Sequence, residues 1–224
     1  MKRQWLLFTG VLAGLLISTG LKAQDEESPS KFSAGADLYS NYIWRGTKLG
    51  TGPAVQPTVK FVTGGLTVGV WGSFDAHGYM ETDPYFSYAF KFGLSLGMTD
   101  YYYPGQQFFD VSDSTGSQAF EINAGYTIKG LSLSANYILN EAGGAASAGG
   151  DKYFQAGYAF KYFNIFLGAG DGWHTSDGNF AICNVGIGTT KEIKITDSFK
   201  IPVTGQVILN PEREQLYVVV GFSF

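Results

Sequence analysis

The chain has 224 residues, among them 31 Gly, 18 Phe and 14 Tyr, and only 15% of it is charged, against about 25% in an average soluble domain. Glycine with aromatics favours strands and turns over helices, and the length fits one domain with a large enclosed volume. A net charge of −4 and a single Cys argue against a nucleic-acid partner, which would favour a basic face, and exclude an internal disulfide.

At the N-terminus, Lys2 and Arg3 precede the apolar run "WLLFTGVLAGLLI" (Trp5 to Ile17), and the small residues of "STGLKA" precede "QDEE". This is the layout of a secretory signal peptide, residues 1–23, with cleavage expected after Ala23 although Leu21 is larger than the usual residue there. Removal of Lys2, Arg3 and Lys22 leaves 12 of the 15 basic residues against all 19 acidic ones, a net charge of −7. No other run approaches the roughly 18 apolar residues of a transmembrane helix. Residues 24–31 are expected to form a short N-terminal segment and 32–224 the folded domain.

Along that domain the apolar residues recur at every second position, the period of a strand. "LSLSANYIL" puts Leu131, Leu133, Ala135, Tyr137 and Leu139 on one face, and "AFEINAGYTI" does the same with Phe120, Ile122, Ala124, Tyr126 and Ile128. Twelve strands are predicted, starting near residues 32, 54, 66, 83, 94, 118, 131, 152, 163, 180, 199 and 214. The last runs to Phe224 with Leu216, Val218, Val220 and Phe222 in register.

The second face decides the class. A soluble β-sandwich also alternates, but its solvent side is normally rich in Lys and Glu. Here that side is mostly Ser, Thr, Gly, Asn and Gln, and the apolar side carries Tyr and Phe toward strand ends. Apolar outward, polar inward and aromatic at the interfaces is the pattern of an antiparallel up-and-down transmembrane β-barrel. Connections support it, alternating between short ("TGG", "FG", "KG", "YFN", "TDS") and mostly long (from residues 103, 140 and 170). Such barrels have short periplasmic turns and longer outer loops, so both termini are expected on the periplasmic side of a Gram-negative outer membrane. Lipid cannot satisfy an open sheet edge, so the last strand must pair with the first.

The closing strand, Leu216, Val218, Val220, Phe222 and Phe224, resembles the assembly signal at the ends of outer-membrane proteins. That resemblance implies the barrel-assembly machinery and periplasmic chaperones as partners, beside outer-membrane lipid. "DLYSNYIWRGTKLGTGPAVQP" (37–57), "TDYYYPG" (99–105) and "YVVVGFSF" (217–224) resemble the TorF-like family of bacterial porins, most specifically over Ser40 to Gly46. The resemblance implies a barrel and a channel, with no substrate attached.

Continued alternation along the first strand would point Leu38, Ser40, Tyr42 and Trp44 to lipid, with the two aromatics in the interfacial girdle. Asp37, Tyr39, Asn41 and Arg45 would then line the pore, joined on the same parity by Lys60, Trp71, Asp75 and Glu121. Arg45 is expected either to line the path or to form an ion pair with Asp75 or Asp100. Inward charges of mixed sign, with Lys91 and Lys161 included, form no ring of one sign. The outer-loop acids, Asp110, Asp113, Glu141, Asp151, Asp171 and Asp177, lie in Gly- and Ser-rich turns where Asp is common, so neither metal nor cofactor is expected.

An enzyme is the competing class. His77 and His174 are the only histidines, and "DGWHTSDG" sets His174 beside Ser176 and Asp177. Sequence neighbours do not make a triad, which is recognised by geometry. The expectation is therefore a non-enzymatic porin-like channel for small hydrophilic solutes or ions, with a plugged structural or adhesive barrel as the alternative and an outer-membrane hydrolase behind both.

Overall fold

The structure, a computed structural model, describes residues 31–197 and 199–224. The expected signal peptide and cleavage site lie outside the described residues. The strands are β1 (Lys31–Tyr39), β2 (Tyr42–Trp44), β3 (Thr47–Leu49), β4 (Ala54–Thr63), β5 (Leu66–Asp75), β6 (Met80–Ala89), β7 (Leu94–Tyr102), β8 (Gln118–Ile128), β9 (Leu131–Ile138), β10 (Glu141–Ala142), β11 (Ser147–Ala148), β12 (Lys152–Ala159), β13 (Asn164–Gly170), β14 (Ala181–Lys194), β15 (Lys200–Asn210) and β16 (Gln215–Ser223). Single 3-10 turns occur at Gly143–Ala145 and Gly172–His174.

Twelve of these close into one antiparallel barrel, in the order β1-β16-β15-β14-β13-β12-β9-β8-β7-β6-β5-β4. Each wall strand therefore pairs with its neighbours in sequence, as the alternation predicts. The seam runs from Tyr39↔Gly221 to Asp37↔Ser223. It is extended by Ala36 and Phe224, whose backbones exchange N–H···O bonds of 3.3 and 3.0 Å, and by Ser40, whose N–H donates to the Val220 carbonyl at 2.8 Å. With the seam shut, no wall strand presents an unpaired edge.

Polarity is inverted relative to a soluble protein. Val59, Val68, Phe86, Leu96, Ile122, Leu133, Ile187 and Val218 are exposed on the outside, while Gln56, Ser73, Thr99, Glu121, Gln155 and Gln206 are buried within. At the short-turn end the exterior carries a belt of rings, with Tyr88 on Phe90 (4.9 Å between centroids), Tyr158 on Phe160 (4.8 Å) and Phe160 stacked on Phe163 (4.7 Å). Aromatics at that level suit the membrane–water interface.

Inside, several rings lie flat against the wall. Phe166 covers Gly186 so closely that a Cβ there would stand 2.2 Å from the ring, and Tyr153 covers Gly168 in the same way. The small lumenal residues thus seat neighbouring side chains rather than leaving open bore.

One expectation fails at the first strand. β1 ends at Tyr39, the chain bends at Ser40 and Asn41, and β2 and β3 form a hairpin that turns into the barrel. Tyr42 and Trp44, expected at the lipid interface, are buried inside at 4% and 5% exposure. The physical reason is the turn that follows: Arg45 and Gly46 both take positive φ, which folds Tyr42–Trp44 back on Thr47–Leu49 as a hairpin instead of continuing the wall strand. The rings find apolar partners in the lumen instead.

At the long-loop end, the 103–117 and 139–151 loops interlock through Gly143 N–H to the Asp113 carbonyl (2.9 Å) and Ala145 N–H to the Gly116 carbonyl (3.1 Å). Trp173 ties the 171–180 loop to them, its Nε1–H donating to the Ala146 carbonyl at 2.6 Å.

Candidate functional site: a hairpin latched inside the barrel

The tip of the β2–β3 hairpin is a two-residue turn between the paired Trp44 and Thr47. Arg45 (φ 50°) and Gly46 (φ 85°) both have positive φ, the type I′ geometry that matches strand twist in tight hairpins. Glycine is required at 46, because a Cβ there would meet the Cys183 carbonyl oxygen at 1.9 Å. The β15 residue Asn210 holds the same turn, its Nδ2 donating to the Gly46 carbonyl at 3.1 Å. A bulky residue in the left-handed region costs about 1–3 kcal/mol and persists only where its surroundings impose it. Arg45 is so imposed.

Its guanidinium crosses the lumen to β8 and grips Glu121 with both prongs, Nη1 to Oε1 at 2.6 Å and Nη2 to Oε2 at 2.8 Å. Glu121 also accepts from Tyr101 Oη (3.0 Å) and Asn123 Nδ2 (2.6 Å). The cation lies 4.7 Å from the Trp44 ring centroid and 4.6 Å from that of Tyr153. Exposure is 3% for Arg45 and 1% for Glu121, so each charge depends on the other. Removing one partner of such a buried pair costs about 3–5 kcal/mol.

His174, in the loop after β13, completes this side with Nε2 3.4 Å from Arg45 Nη1. Burial, and after it the neighbouring Arg45 charge, pushes the His174 pKa well below the ordinary histidine range. The ring is neutral there and offers a lone pair to the guanidinium.

The two faces of the hairpin are apolar. Tyr42 and Trp44 pack with Trp71, Tyr79, Tyr101 and Trp173, Trp44 meeting Tyr101 edge-on at 5.5 Å. Ile43 packs on the other face with Tyr39, Ile208 and Val219, against Phe166. Hairpin and wall pack against each other in the long-loop half of the lumen. Beside Tyr42 on β6, Glu81 and Asp83 point inward at 1% and 0% exposure.

Residues 23–194 match a family described as a bacterial protein of unknown function, Gcw_chp. The chain belongs to that family. A search of curated proteins returned no match. Among solved structures, three tryptophan-substituted variants of a Rhodopseudomonas blastica porin align at 15% identity, covering 76% of this chain and 55% of theirs, with a TM-score of 0.40. The match thus spans little more than half of the porin chain.

The residues expected to line the pore have diverse positions in this Gcw_chp barrel. Asp37, Tyr39 and Lys60 face inward on β1 and β4, Trp71 packs against the hairpin, and Asn41 sits in the bend before β2. Asp75 is at the rim, where its carboxylate accepts the N–H groups of Thr51 (2.8 Å), His77 (2.8 Å) and Tyr79 (2.9 Å). Asp100 stands opposite Phe120 on the outward parity. Neither therefore partners Arg45, and the observed partner is Glu121. Lys91 and Lys161 lie in turns. Leu216, Val218, Val220, Phe222 and Phe224 all face outward.

His174, Ser176 and Asp177 diverge. Ser176 binds Glu212 through its hydroxyl and its N–H, Asp177 caps Asn179, and His174 turns to Arg45. The outer acids serve local turns, as when Asp110 accepts from Ser112 and Thr115. Among the described residues no three His, Cys, Asp or Glu side chains converge on a metal-sized point.

Proposed function

We propose that this chain is an outer-membrane channel of narrow bore, passing small hydrophilic solutes or ions by diffusion, with the β2–β3 hairpin as its constriction. The observation that carries the reading is a closed wall, apolar outside and polar inside, with a hairpin set across the lumen by a polar latch. Twelve strands lie between the filled barrels of about eight and the open ones of about 16–18, so one inserted hairpin suffices to set the bore. Below it the wall keeps Ser87, Ser132, Thr190 and Lys60 on the inward parity. The export-type N-terminus and the TorF-like opening segment support the same reading.

In this reading both termini are periplasmic, and the barrel-assembly machinery and periplasmic chaperones deliver the chain using its last strand. Arg45 sets the position of the hairpin rather than the ion preference, because Glu121 neutralises it. Refolded protein in planar bilayers should give small, steady single-channel steps. A silent preparation, with folding confirmed by heat modifiability, would contradict the channel. It would favour a plugged structural barrel, a reading to which the buried Tyr42 and Trp44, with the half-buried Trp173 packed on them, lend weight.

A further inference from the structure

The short-turn end of the barrel carries its charge unevenly. On the β14–β15 side the lysines are answered, Lys194 by Asp197 and Lys200 by Glu192. Three successive turns on the other side each carry one exposed lysine, Lys91 between β6 and β7, Lys129 between β8 and β9 and Lys161 between β12 and β13. Among the described residues none of these three forms an ion pair. No acid stands near them along the chain either: residues 84–99, 122–140 and 152–170 hold no Asp or Glu, in a protein with 19 acidic residues against 15 basic ones.

The turns are tied into one arc. The Thr127 N–H donates to the Gly93 carbonyl at 3.0 Å, and the Ala159 N–H to the Gly130 carbonyl at 2.9 Å. Turns two strands apart stand roughly 10 Å from each other at the usual strand spacing, about one Debye length at physiological salt, so the three fields overlap. The rings supply an independent observation. Phe90 and Phe92 flank Lys91, their centroids 5.6 Å apart, and Phe160 and Tyr162 flank Lys161, whose Nζ lies 4.8 Å from the Tyr162 centroid. Phe92 and Tyr162 are 65% and 69% exposed, and Ile128 beside Lys129 is 44% exposed. Each turn thus sets a cation beside apolar surface at the level of the aromatic belt, where a lysine stem lies along apolar groups and its ammonium reaches the headgroups.

We infer that Lys91, Lys129 and Lys161 form a docking arc for anionic glycerophospholipid, holding the phosphates of the leaflet at the short-turn end while the belt and the wall hold the acyl chains. The occupant follows from the position. The arc is continuous with the lipid-facing wall, its charge is opposite to that of the phosphate, and the exposed rings beside each cation suit a ligand that is part apolar. Lysines at a membrane surface are attracted to anionic lipid, and a chain of net negative charge is repelled by it except where its cations are gathered. The inference rests on the membrane-spanning wall and not on the channel reading.

The test is native mass spectrometry of refolded protein in neutral detergent, titrated with phosphatidylglycerol or with phosphatidylcholine of the same acyl chains. The wild type should retain phosphatidylglycerol several-fold more tightly, with the margin shrinking as NaCl rises. The triple variant Lys91→Gln, Lys129→Asn, Lys161→Gln should lose the margin and keep its heat modifiability. Asn is the choice at 129 because φ there is 47° and Asn tolerates the left-handed region. Lys194→Gln with Lys200→Gln, on the paired side, should keep the margin. Equal retention of the two lipids by the wild type, or an undiminished margin in the triple variant, overturns the inference, and the wild-type comparison decides even where a variant does not fold. A margin lost equally on the paired side overturns it too, since position would then not matter. Inorganic phosphate that displaces the lipid better than NaCl of equal ionic strength assigns a site for free anions and overturns the lipid docking. Silent bilayers with the lipid margin intact uphold the arc and overturn the channel, and steady channels from a protein without the margin do the reverse.

Discussion

The wall and the hairpin inside it are built on opposite principles. Every wall strand has one lipid face and one lumenal face, so side chains are sorted by parity and each position depends on few others. The hairpin is enclosed on both faces, held by the Arg45–Glu121 pair, the Asn210 bond to Gly46 and rings packed on Tyr42 and Trp44. Damage to the wall should therefore scale with depth in the membrane. Damage to the hairpin should spread through the network and alter conduction before it alters the barrel.

The largest effect expected is at the latch. Glu121→Ala strands a buried cation, a loss of about 3–5 kcal/mol that the molecule can relieve by releasing the hairpin. The checks are a red shift of tryptophan emission from Trp44 and Trp173, larger conductance steps, and an unchanged β signature in circular dichroism. Arg45→Lys should resemble the released state, because an ammonium cannot reproduce the two-pronged grip. Unchanged emission in Glu121→Ala would mean that apolar packing alone holds the hairpin.

In the wall, Val220→Arg places a charge on the lipid face near mid-strand and should cost about 2–4 kcal/mol, read as a lower urea midpoint with normal channel properties where folding succeeds. Gly46→Ala comes next. Its φ of 85° and the 1.9 Å approach to Cys183 predict a loss of about 1–3 kcal/mol from strain, again with larger conductance rather than a missing barrel.

The smallest effect belongs to the outer loops. The Ser176 hydroxyl, and after it the Ser176 N–H, holds the Glu212 carboxyl below its ordinary pKa. Its folded value lies below its unfolded one, so the contact contributes fully above the usual glutamate range and is lost as pH falls through the depressed value. Acidification should lower the hydrogen-exchange protection factor of the Ser176 amide, the intrinsic pH dependence of exchange divided out, and Glu212→Gln should remove that change.

The wall was legible because lipid and lumen impose a single period on it; the expected strand starts at 54, 66, 94, 118, 131 and 152 are those observed. β6 begins at Met80 rather than near 83, which hid Glu81 and with it the acidic pair. The hairpin was misread because Tyr42 and Trp44 extend the same alternation, and apolar residues facing a packed lumen have the same period as residues facing lipid. One signal separated the cases: the Arg45-Gly46 step, where glycine marks a tight turn. The pairing of Arg45 with Glu121 links residues 76 apart across a space that strand parity does not describe, so sequence supplied both charges without joining them.

The central claim is that the hairpin, and not the wall, limits the bore. The direct measurement is single-channel conductance of the wild type against a variant in which residues 41–50 are replaced by a short Gly/Ser turn, both confirmed as folded by heat modifiability. A several-fold larger conductance in the variant is the predicted result. Equal conductance in the two proteins would contradict it.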